Sequence, residues 1–496
     1  MRLALSFITL VTVTAALANP LRRRVRGAGC ANSTVLEETP ETRQQNDRKW
    51  VVAHHMVGNT FPYTKQDWRD DIVLAQASGI DGFVLNTGKE TWEPARVADA
   101  YQAALESGLD FKLFLSLDME SLNFDQACQT VAGGQAIRDR VTPFLGHPNQ
   151  LNINGKAVIS TFSGQQCTFG QGNVFNGWRT QFTQHASLNG RINFIPSFFI
   201  DPATFGQYTG IMNGDFNWNG GWPLEVTTAF AQSQPPQSQP SNINNPLQRA
   251  ITSRIGSRNS DIININGLQA LGPDALFMGA VSPWFFTHYS PQTWNKNWVY
   301  VADQHLYNKR WESLIQFRND YDIAQVLTWN DYGESHYIGP VKGGIPNSQA
   351  WTDNMPHTAW LDLTRYYATA FKTGSYPAVQ KDQIFVWSRP HARDASSPDS
   401  VARPANYEVL EDAVWVTVLT TAPASVTLAT TPANSQTFQV PAGHSKLSIS
   451  IAPGGTIRVI IARNGANVVT LTPNFTFTNT PPSYNFNVLV ASARAP

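Results

Sequence analysis

Residues 50–57 of the chain read WVVAHHMV, and residues 82–86 read GFVLN. Each is a short, almost wholly apolar run, which is typical of a strand that is covered on both faces of a parallel sheet. Between them, apolar side chains recur every three to four positions at Trp68, Ile72 and Ala75, which predicts an amphipathic helix. Residues 49–88 are therefore predicted to form one strand–helix–strand unit.

The same alternation continues along the chain, and we predict eight strands. They are Trp50–Val57, Gly82–Asn86, Phe111–Asp118, Lys156–Phe162, Asn193–Phe199, Gly210–Trp218, Leu276–Phe285 and Ile323–Asp331. Eight strand–helix alternations predict an α/β fold with a (β/α)8 TIM barrel, which we place at residues 49–378. An open doubly wound sheet is the alternative, but no glycine-rich dinucleotide motif follows the first strand.

The pattern changes after the barrel, and residues 379–496 predict a C-terminal antiparallel β-sandwich. Short β-branched runs are separated there by Pro, Gly and Asn turns. Such runs include Ala413–Thr421, Ser425–Thr431, His444–Ile451, Thr456–Ala462 and Asn467–Thr472. Inside the barrel, the Gln/Pro/Ser-rich stretch Ser233–Asn245 predicts a long loop after the sixth strand.

The N-terminus predicts a secreted protein. Residues 1–18 have a basic start, the apolar run Leu3–Leu17 and a small-residue cleavage site, as in a signal peptide. Residues 19–48 contain an arginine cluster, which predicts a pro-segment or N-terminal extension, with a plain basic flank as the alternative. The localisation we predict is extracellular or cell-wall associated, with no membrane span because the apolar run is too short.

The cysteines and glycosylation motifs fit that compartment. Cys128 and Cys167 follow neighbouring predicted strands, and we favour a disulfide between them, which leaves Cys30 unpaired. Three free thiols are the alternative. The glycosylation sequons at Asn32 and Asn474 are consistent with secretion and with a glycoprotein.

Composition restricts the class of partner. Only 15% of the 496 residues are charged, and 36 Lys and Arg balance 36 Asp and Glu. This balance argues against a nucleic-acid or anionic-membrane partner. With 15 Trp and 14 Tyr, the chain has many aromatic faces on which sugar rings can stack, although most of them are expected in the core.

Active sites of barrel enzymes lie at the C-terminal ends of the strands. The polar and aromatic residues at those ends predict a carbohydrate site, because we find no glycine-rich anion nest or basic cluster for a phosphorylated substrate. The candidate substrate-binding residues are His54, Asn86, Asp118, Asp215, Trp218, Trp284, Trp329, Tyr332 and His336.

Asp331 and Glu334 are the candidate catalytic residues. They lie three residues apart after the eighth strand, so their Cβ atoms are about 5–6 Å apart if the turn is helical. Glycoside hydrolysis uses two carboxyl groups, of which one donates a proton and the other is ionised. A pair of capping acids would have the same spacing, and the position at the strand end is what favours catalysis. We assign Glu334 as the acid and Asp331 as the base because Glu334 has the longer reach.

Several segments resemble fungal glycoside hydrolase family 71, the α-1,3-glucanases or mutanases. They are AHHMVGNTFPYT at 53–64, KLFLSLDM at 112–119, VSPWF at 281–285 and TWNDYGESHYIGP at 328–340. The resemblance implies a barrel with a β-sandwich and inverting hydrolysis of α-1,3-glucan. It also implies that Asp331 and Glu334 are essential, and that Asp118 is a further essential or substrate-binding residue.

Two positions depart from the family pattern. His55 stands where Phe is expected, and Asn213-Gly214-Asp215 replaces an Asp-Gly pattern. Two other functions stay open: a non-catalytic protein that binds wall polysaccharide, and a glycosidase for another linkage. We expect a monomer with α-1,3-glucan as its partner and with no cofactor or metal.

Overall fold

The structure is a computed structural model, and it describes residues 48–121, 127–234 and 246–496. The predicted signal peptide, nearly all of the predicted pro-segment, Cys30, Asn32 and residues 235–245 of the predicted loop lie outside these ranges. The chain divides into units of residues 1–41 and 42–496, and all of the described residues belong to the second unit. Within it, no described helix has both the length and the apolar character that a membrane crossing requires.

The first eleven strands of the described chain form the parallel sheet and two small antiparallel additions. They are β1 (Trp50–Met56), β2 (Gly82–Thr87), β3 (Lys112–Asp118), β4 (Asn152–Ile153), β5 (Lys156–Phe162), β6 (Ile192–Ser197), β7 (Gly214–Asn217), β8 (Leu276–Val281), β9 (Phe286–His288), β10 (Asn297–Val299) and β11 (Ile323–Val326).

Eight of these described strands run parallel in one curled sheet, in the order β6-β5-β3-β2-β1-β11-β8-β7. Each predicted run overlaps one of them, and β2 and β6 extend one residue beyond their predicted bounds. Beside the two ends of this order, the Asn213 amide donates to the Phe194 carbonyl over 2.8 Å. The Asn213 side chain also accepts from the Phe194 amide over 3.0 Å. The last of the eight parallel strands along the chain, β11, pairs with the first, β1, in the middle of this order.

Helices separate most of the parallel strands. They are α1 (Lys65–Ala77), α2 (Glu93–Ser107), α3 (Val131–Val141), α4 (Val174–Trp178), α5 (Thr228–Ser233), α6 (Pro246–Thr252), α7 (Asn259–Leu268), α8 (Leu306–Gln316), α9 (Gln349–Thr352) and α10 (Trp360–Thr373). Helix α1 begins at a capping box, in which the side chains of Thr64 and Asp67 bond each other's backbone amides. Its residues Trp68, Ile72 and Ala75 are buried, as their spacing predicts.

The C-terminal region contains two antiparallel four-stranded sheets among the described residues. Its strands are β12 (Gln383–Ser388), β13 (Ala413–Thr420), β14 (Ala424–Ala429), β15 (Ser435–Val440), β16 (Gly443–Ser450), β17 (Arg458–Arg463), β18 (Ala466–Leu471) and β19 (Leu489–Arg494). The orders are β16-β13-β12-β19 and β15-β14-β17-β18.

The two C-terminal sheets share one apolar core. Alternate residues of β13 (Val414, Val416 and Val418) pack in the same cluster as Val426 and Leu428 of β14. The intervening β13 residues Trp415 and Leu419 instead join the larger core around the parallel sheet. Strand β13 therefore has apolar side chains on both faces, because it is covered on both sides.

Cys128 and Cys167 form the predicted disulfide. Cys128 belongs to a short 3-10 turn at Ala127–Gln129, and Cys167 follows β5. Both cysteines are buried. The bond therefore links the connections that follow two neighbouring strands of the sheet.

Replacing both cysteines by serine should lower the free energy of unfolding. The bond spans 39 residues, and closing a loop of that length in the unfolded chain is worth about 4 kcal/mol on chain-entropy grounds. Thermal and urea unfolding of the wild type and the double variant measure the loss. Reducing agent should destabilise the wild type to the same extent and leave the variant unchanged. An equal effect of reductant on both proteins would contradict the assignment.

Candidate active site

The segment that follows β11 is folded back on itself at the C-terminal end of that strand. The Trp329 amide donates to the His54 carbonyl of β1 over 2.7 Å, and the Gly339 amide donates to the Trp329 carbonyl over 2.8 Å. The Thr328 amide donates to the His336 carbonyl. These bonds close residues 328–339 into a loop that carries both candidate catalytic carboxyls.

Asn330 fastens this loop to β1. Its side-chain oxygen accepts from the Met56 amide over 2.7 Å, and its side-chain nitrogen donates to the Met56 carbonyl over 3.1 Å. The Asn59 side chain donates to the Asn330 carbonyl over 2.9 Å. Because Asn330 is fully buried, these bonds fix the position of the next residue, Asp331.

Asp331, Glu334 and His336 form one cluster. His336 Nε2 lies 3.1 Å from Asp331 Oδ2 and 3.3 Å from Glu334 Oε2. Both contacts have ion-pair distances, but neither is aligned as a hydrogen bond with the ring N–H. The imidazole is buried, whereas the Asp331 and Glu334 side chains are 16% and 20% exposed. The two carboxyls can therefore reach a substrate, while the imidazole lies behind them.

Lys296 completes the cluster, and no sequence pattern predicted it. Its Nζ lies 3.0 Å from Glu334 Oε1. Lys296 lies in the hairpin of β9 and β10, which is attached to the loop because the Phe286 amide donates to the Glu334 carbonyl over 3.0 Å. A single lysine between Trp294 and Trp298 has no motif, so only the paired hairpin shows its position.

The charges of this cluster set its protonation. Burial would raise the pKa of Glu334, but the charges of Lys296 and His336 outweigh burial and hold that pKa well below its usual range. Burial would lower the pKa of His336, but Asp331 and Glu334 raise it to about 9. At neutral pH the site therefore holds an ionised Glu334 against two cations.

Asp118 and Glu120 carry two more carboxyls near the same lysine. Asp118 ends β3 and accepts from the Ser121 amide over 3.0 Å. Burial raises the pKa of Asp118 to about 6, and the charge of Glu120 adds to the effect. Burial also raises the pKa of Glu120, which interacts with the charges of Lys296 and Glu334. At mildly acidic pH, Asp118 keeps a proton under conditions in which Glu334 is ionised.

Aromatic rings surround the cluster. The ring centroids of Trp218, Trp222 and Phe285 lie 6.3, 5.8 and 5.3 Å from that of His336. Trp218 is partly exposed and packs edge-on against His54, with centroids 5.0 Å apart. The predicted platform Trp218 is therefore beside the carboxyls. Trp222 and Phe285 were not predicted as site residues. The aromatic residues that follow β7 and β8 in the sequence are the signal that could have identified them.

His54 and Asn86 lie at the ends of adjacent strands. His54 Nδ1 is 2.9 Å from the Gln325 side-chain nitrogen, and burial together with the charge of His336 lowers the pKa of His54 to about 3. Asn86 lies near the end of β2, paired in register with Met56. A neutral imidazole and an amide are suited to hydrogen bonds with hydroxyl groups.

Three predicted sugar platforms are buried, and the structure does not support their role in stacking. Trp284 is 2% exposed, and Trp329 and Tyr332 are 0% exposed. The Trp284 indole donates to the Phe486 carbonyl over 2.8 Å, and the Tyr332 hydroxyl donates to the Pro340 carbonyl over 2.8 Å. Tyr332 is therefore tied to the end of its own loop and Trp284 to the C-terminal region, and none of the three buried rings presents a face to a sugar.

Asp215 also differs from its predicted role. Burial and the charge of Asp261 raise its pKa well above the usual range. Asn217, two residues along the same strand and hence on the same face, donates to Asp261 of α7 over 2.8 Å. Asp215 therefore faces the helix layer, away from Asp331.

His55 is the residue that departs from the expected Phe. It is buried between Trp68, Tyr63 and Phe83, with its Nε2 3.2 Å from Asp71 Oδ2. The substitution therefore changes the packing between β1 and α1, and within the described chain its contacts do not include the carboxyl cluster.

Asp331, Glu334 and His336 have one donor atom each within 4.8 Å of one another, which is a spacing that could hold a metal ion. The Lys296 ammonium already neutralises Glu334, so the charge of the cluster is balanced by the protein. Our expectation of a site without metal or cofactor stays a prediction.

Comparison with known proteins agrees with these motifs. The profile of Glycosyl hydrolase family 71 matches residues 47–496. A glucan endo-1,3-alpha-glucosidase of Schizosaccharomyces pombe is 35% identical over 450 residues, which cover 89% of this chain and 94% of that protein. A mutanase of Penicillium rubens is 30% identical over 463 residues, or 92% and 91% of the two chains. An ascus wall endo-1,3-alpha-glucanase of S. pombe is 32% identical over 74% of this chain and 78% of that protein. The predicted resemblance is confirmed, and this chain is a glycoside hydrolase that belongs to family 71.

Proposed function

We propose that this enzyme hydrolyses the α-1,3-glucosidic bonds of α-1,3-glucan. The observation that carries the proposal is the cluster of Asp331, Glu334 and His336 at the end of β11, with two partly exposed carboxyls. The choice of substrate is supported by relatives named glucan endo-1,3-alpha-glucosidase and mutanase. The neutral overall charge of the chain suits an uncharged polysaccharide.

The proposed architecture is a closed (β/α)8 barrel at residues 49–378 followed by a β-sandwich at residues 379–496. Closure is supported by the two hydrogen bonds between Phe194 and Asn213 beside the sheet ends. The sandwich is supported by the apolar core that the two C-terminal sheets share.

Side-chain length predicted Glu334 as the acid and Asp331 as the base. From the charges around Glu334 we propose the opposite assignment, with Glu334 as the base and Asp331 as the acid. Lys296 and His336 keep Glu334 ionised, so Glu334 is suited to take a proton from the attacking water. Asp331 then donates a proton to the glycosidic oxygen as the bond from C1 to that oxygen breaks. Water attacks C1 from the opposite face, which inverts the anomeric configuration.

Inversion needs space for that water. The facing oxygens of Asp331 and Glu334 lie within 4.8 Å, whereas carboxyl groups of inverting pairs are roughly 6.5–9.5 Å apart. Because Lys296 holds Glu334, we propose that Asp331 turns away from His336 to meet the glycosidic oxygen. This movement would widen the gap and admit the water.

The proposed binding surface consists of the partly exposed residues Asp118 and Trp218. Trp218 supplies a ring face for stacking, and Asp118 supplies a hydrogen bond to a sugar hydroxyl. His54 and Asn86, which are 1% and 4% exposed, lie at the ends of neighbouring strands beneath this surface. We also propose secretion. The buried disulfide and the exposed sequon at Asn474 support it, as does a relative named for the ascus wall.

Product analysis tests the proposal. Incubation with insoluble α-1,3-glucan should release reducing ends, and NMR at early times should show the β-anomer of the newly formed ends first. Glu334→Gln under identical conditions is the control and should release reducing ends on the order of 10³-fold more slowly. Early α-anomer would contradict inversion. Binding without any release of reducing ends would identify a polysaccharide-binding protein instead.

A further inference from the structure

A cavity lies between helices of the first region and the C-terminal sheets. Its volume is about 520 Å³, within the roughly 300–1,000 Å³ of small-molecule sites. Its wall combines residues of α6 and α8 with residues of β13, β15 and β16. It shares no lining residue with the carboxyl cluster, so we refer to it as the junction cleft.

The junction cleft contains a buried carboxyl with an unused oxygen. Glu411 is 2% exposed. Its Oε2 lies 3.4 Å from the Gln304 side-chain nitrogen, while its Oε1 has no hydrogen-bond partner among residues 48–121, 127–234 and 246–496. Burial and the charge of Asp303 raise the pKa of Glu411 to about 8. A buried oxygen without a partner costs free energy, which a ligand hydroxyl would recover.

The other walls supply both polar and apolar contacts. Lys309 lines the cleft, and burial together with the charge of Lys446 lowers its pKa. Lys446 itself pairs with Glu312, so its charge is balanced. Phe438 of β15 is half-buried in the wall, and the Trp415 indole is fixed by a 3.1 Å bond to Asp303.

We propose that the junction cleft is a second carbohydrate-binding site that holds a segment of neutral glucan away from the active site. Sugar hydroxyls both donate and accept hydrogen bonds, so they can satisfy Glu411 and Lys309 together. Because the pKa of Glu411 is about 8, this carboxyl is mostly protonated at neutral pH, and it can donate a hydrogen bond to a sugar hydroxyl as well as accept one. A cationic ligand would be opposed by Lys309. The half-buried ring of Phe438 offers a face for stacking on a pyranose ring.

A second site has a kinetic consequence for a polymer. A glucan chain that is held in the cleft keeps its other segments at a high effective concentration near the catalytic carboxyls. This inference rests on the proposed function for the choice of sugar. The site itself would accelerate attack on the insoluble polymer and leave short soluble oligosaccharides unaffected.

Calorimetric titration with a soluble α-1,3-linked glucose oligosaccharide tests the cleft. The full chain carrying Glu334→Gln binds without cleavage and should show two sites. Adding Phe438→Ala with Gln436→Ala, or the space-filling Ser448→Trp, should leave one. Thr437→Ala, between the two altered β15 positions, is the matched control and should keep two sites. One site in the starting protein, or two sites in both cleft variants, would overturn the proposal.

Kinetics separate failure of the cleft from failure of the proposed function. With Glu334 intact, Phe438→Ala with Gln436→Ala should hydrolyse soluble oligosaccharide within about twofold of the wild-type rate. The same variant should lose roughly tenfold on insoluble glucan, a modest part of the gain that a second attachment can provide. Equal rates on insoluble glucan would overturn the cleft alone. A wild-type protein that releases no reducing ends would overturn the proposed function.

Discussion

Glu334→Gln should reduce kcat on α-1,3-glucan by on the order of 10³-fold, within the range that removal of an acid–base group usually causes. The amide cannot accept the proton of the attacking water, and it leaves Lys296 without its carboxylate at 3.0 Å. Asp331→Asn should cause a loss of similar size on the polymer. Steady-state release of reducing ends measures both.

An activated leaving group distinguishes the two roles. A glucoside whose leaving group departs without protonation does not need the acid. Asp331→Asn should therefore recover most of its activity on such a substrate, whereas Glu334→Gln should stay impaired. The opposite pattern would restore the assignment based on side-chain reach. Asp274→Asn, an exposed carboxyl before β8, is the matched control and should behave as wild type on both substrates.

The same comparison tests Asp118 as the proton donor. Burial raises the pKa of Asp118 to about 6, so this carboxyl carries a proton in mildly acidic solution. A selective rescue of Asp118→Asn, and not of Asp331→Asn, would transfer the role of acid to β3. We expect Asp118→Asn to raise KM on both substrates, as loss of a binding contact does.

Lys296→Met should move the acidic limb of the pH–rate profile to higher pH. A base must be ionised, so its activity is lost as pH falls through its pKa. Lys296 lowers the pKa of Glu334, and removing the ammonium raises that pKa, so the loss begins at a higher pH. Deleting a hydrogen bond to a charged group costs about 1.5–3 kcal/mol, which corresponds to roughly 10–100-fold in rate.

A conservative variant provides the control for that result. Lys296→Arg keeps the positive charge and should leave the acidic limb close to its wild-type position, even if the altered geometry lowers kcat. Thermal unfolding should be similar for both variants, because the Lys296 side chain is 47% exposed. A profile for Lys296→Met that falls uniformly without shifting would show that the lysine acts on geometry alone.

The sequence was most informative where one local pattern determines the result. The eight parallel strands are buried along their length, and most of them are rich in apolar residues, so their runs were identifiable. The exception in composition is β7, which reads GDFN and was found from its polar residues at a strand end. Strand β15 was missed because its residues Ser435, Gln436 and Thr437 are exposed and polar. It exists because β14 supplies its hydrogen bonds, and a pairing partner is not visible in one segment's composition.

In the candidate site, too, residues of one short segment could be predicted from the sequence, whereas contacts between distant segments could not. Asp331 and Glu334 could be predicted because they belong to one short segment at a strand end. Lys296 could not, because its approach to Glu334 depends on how a hairpin packs against a loop 38 residues away. The sequence also did not show which aromatic side chains are buried. Trp329 and Trp218 both lie at strand ends, yet of these two only Trp218 is partly exposed.

The hydrogen bonds between the Asn330 side chain and the Met56 backbone join residues that are 274 positions apart. During synthesis the ribosome releases β1 long before β11. The edge of β1 that pairs with β11 therefore stays without its partner strand while the residues between them are translated. The active site can form only after residues 328–339 have been synthesised and have packed against β1. Exposed strand edges are prone to wrong pairing, so this enzyme should depend on chaperone protection until late in its production.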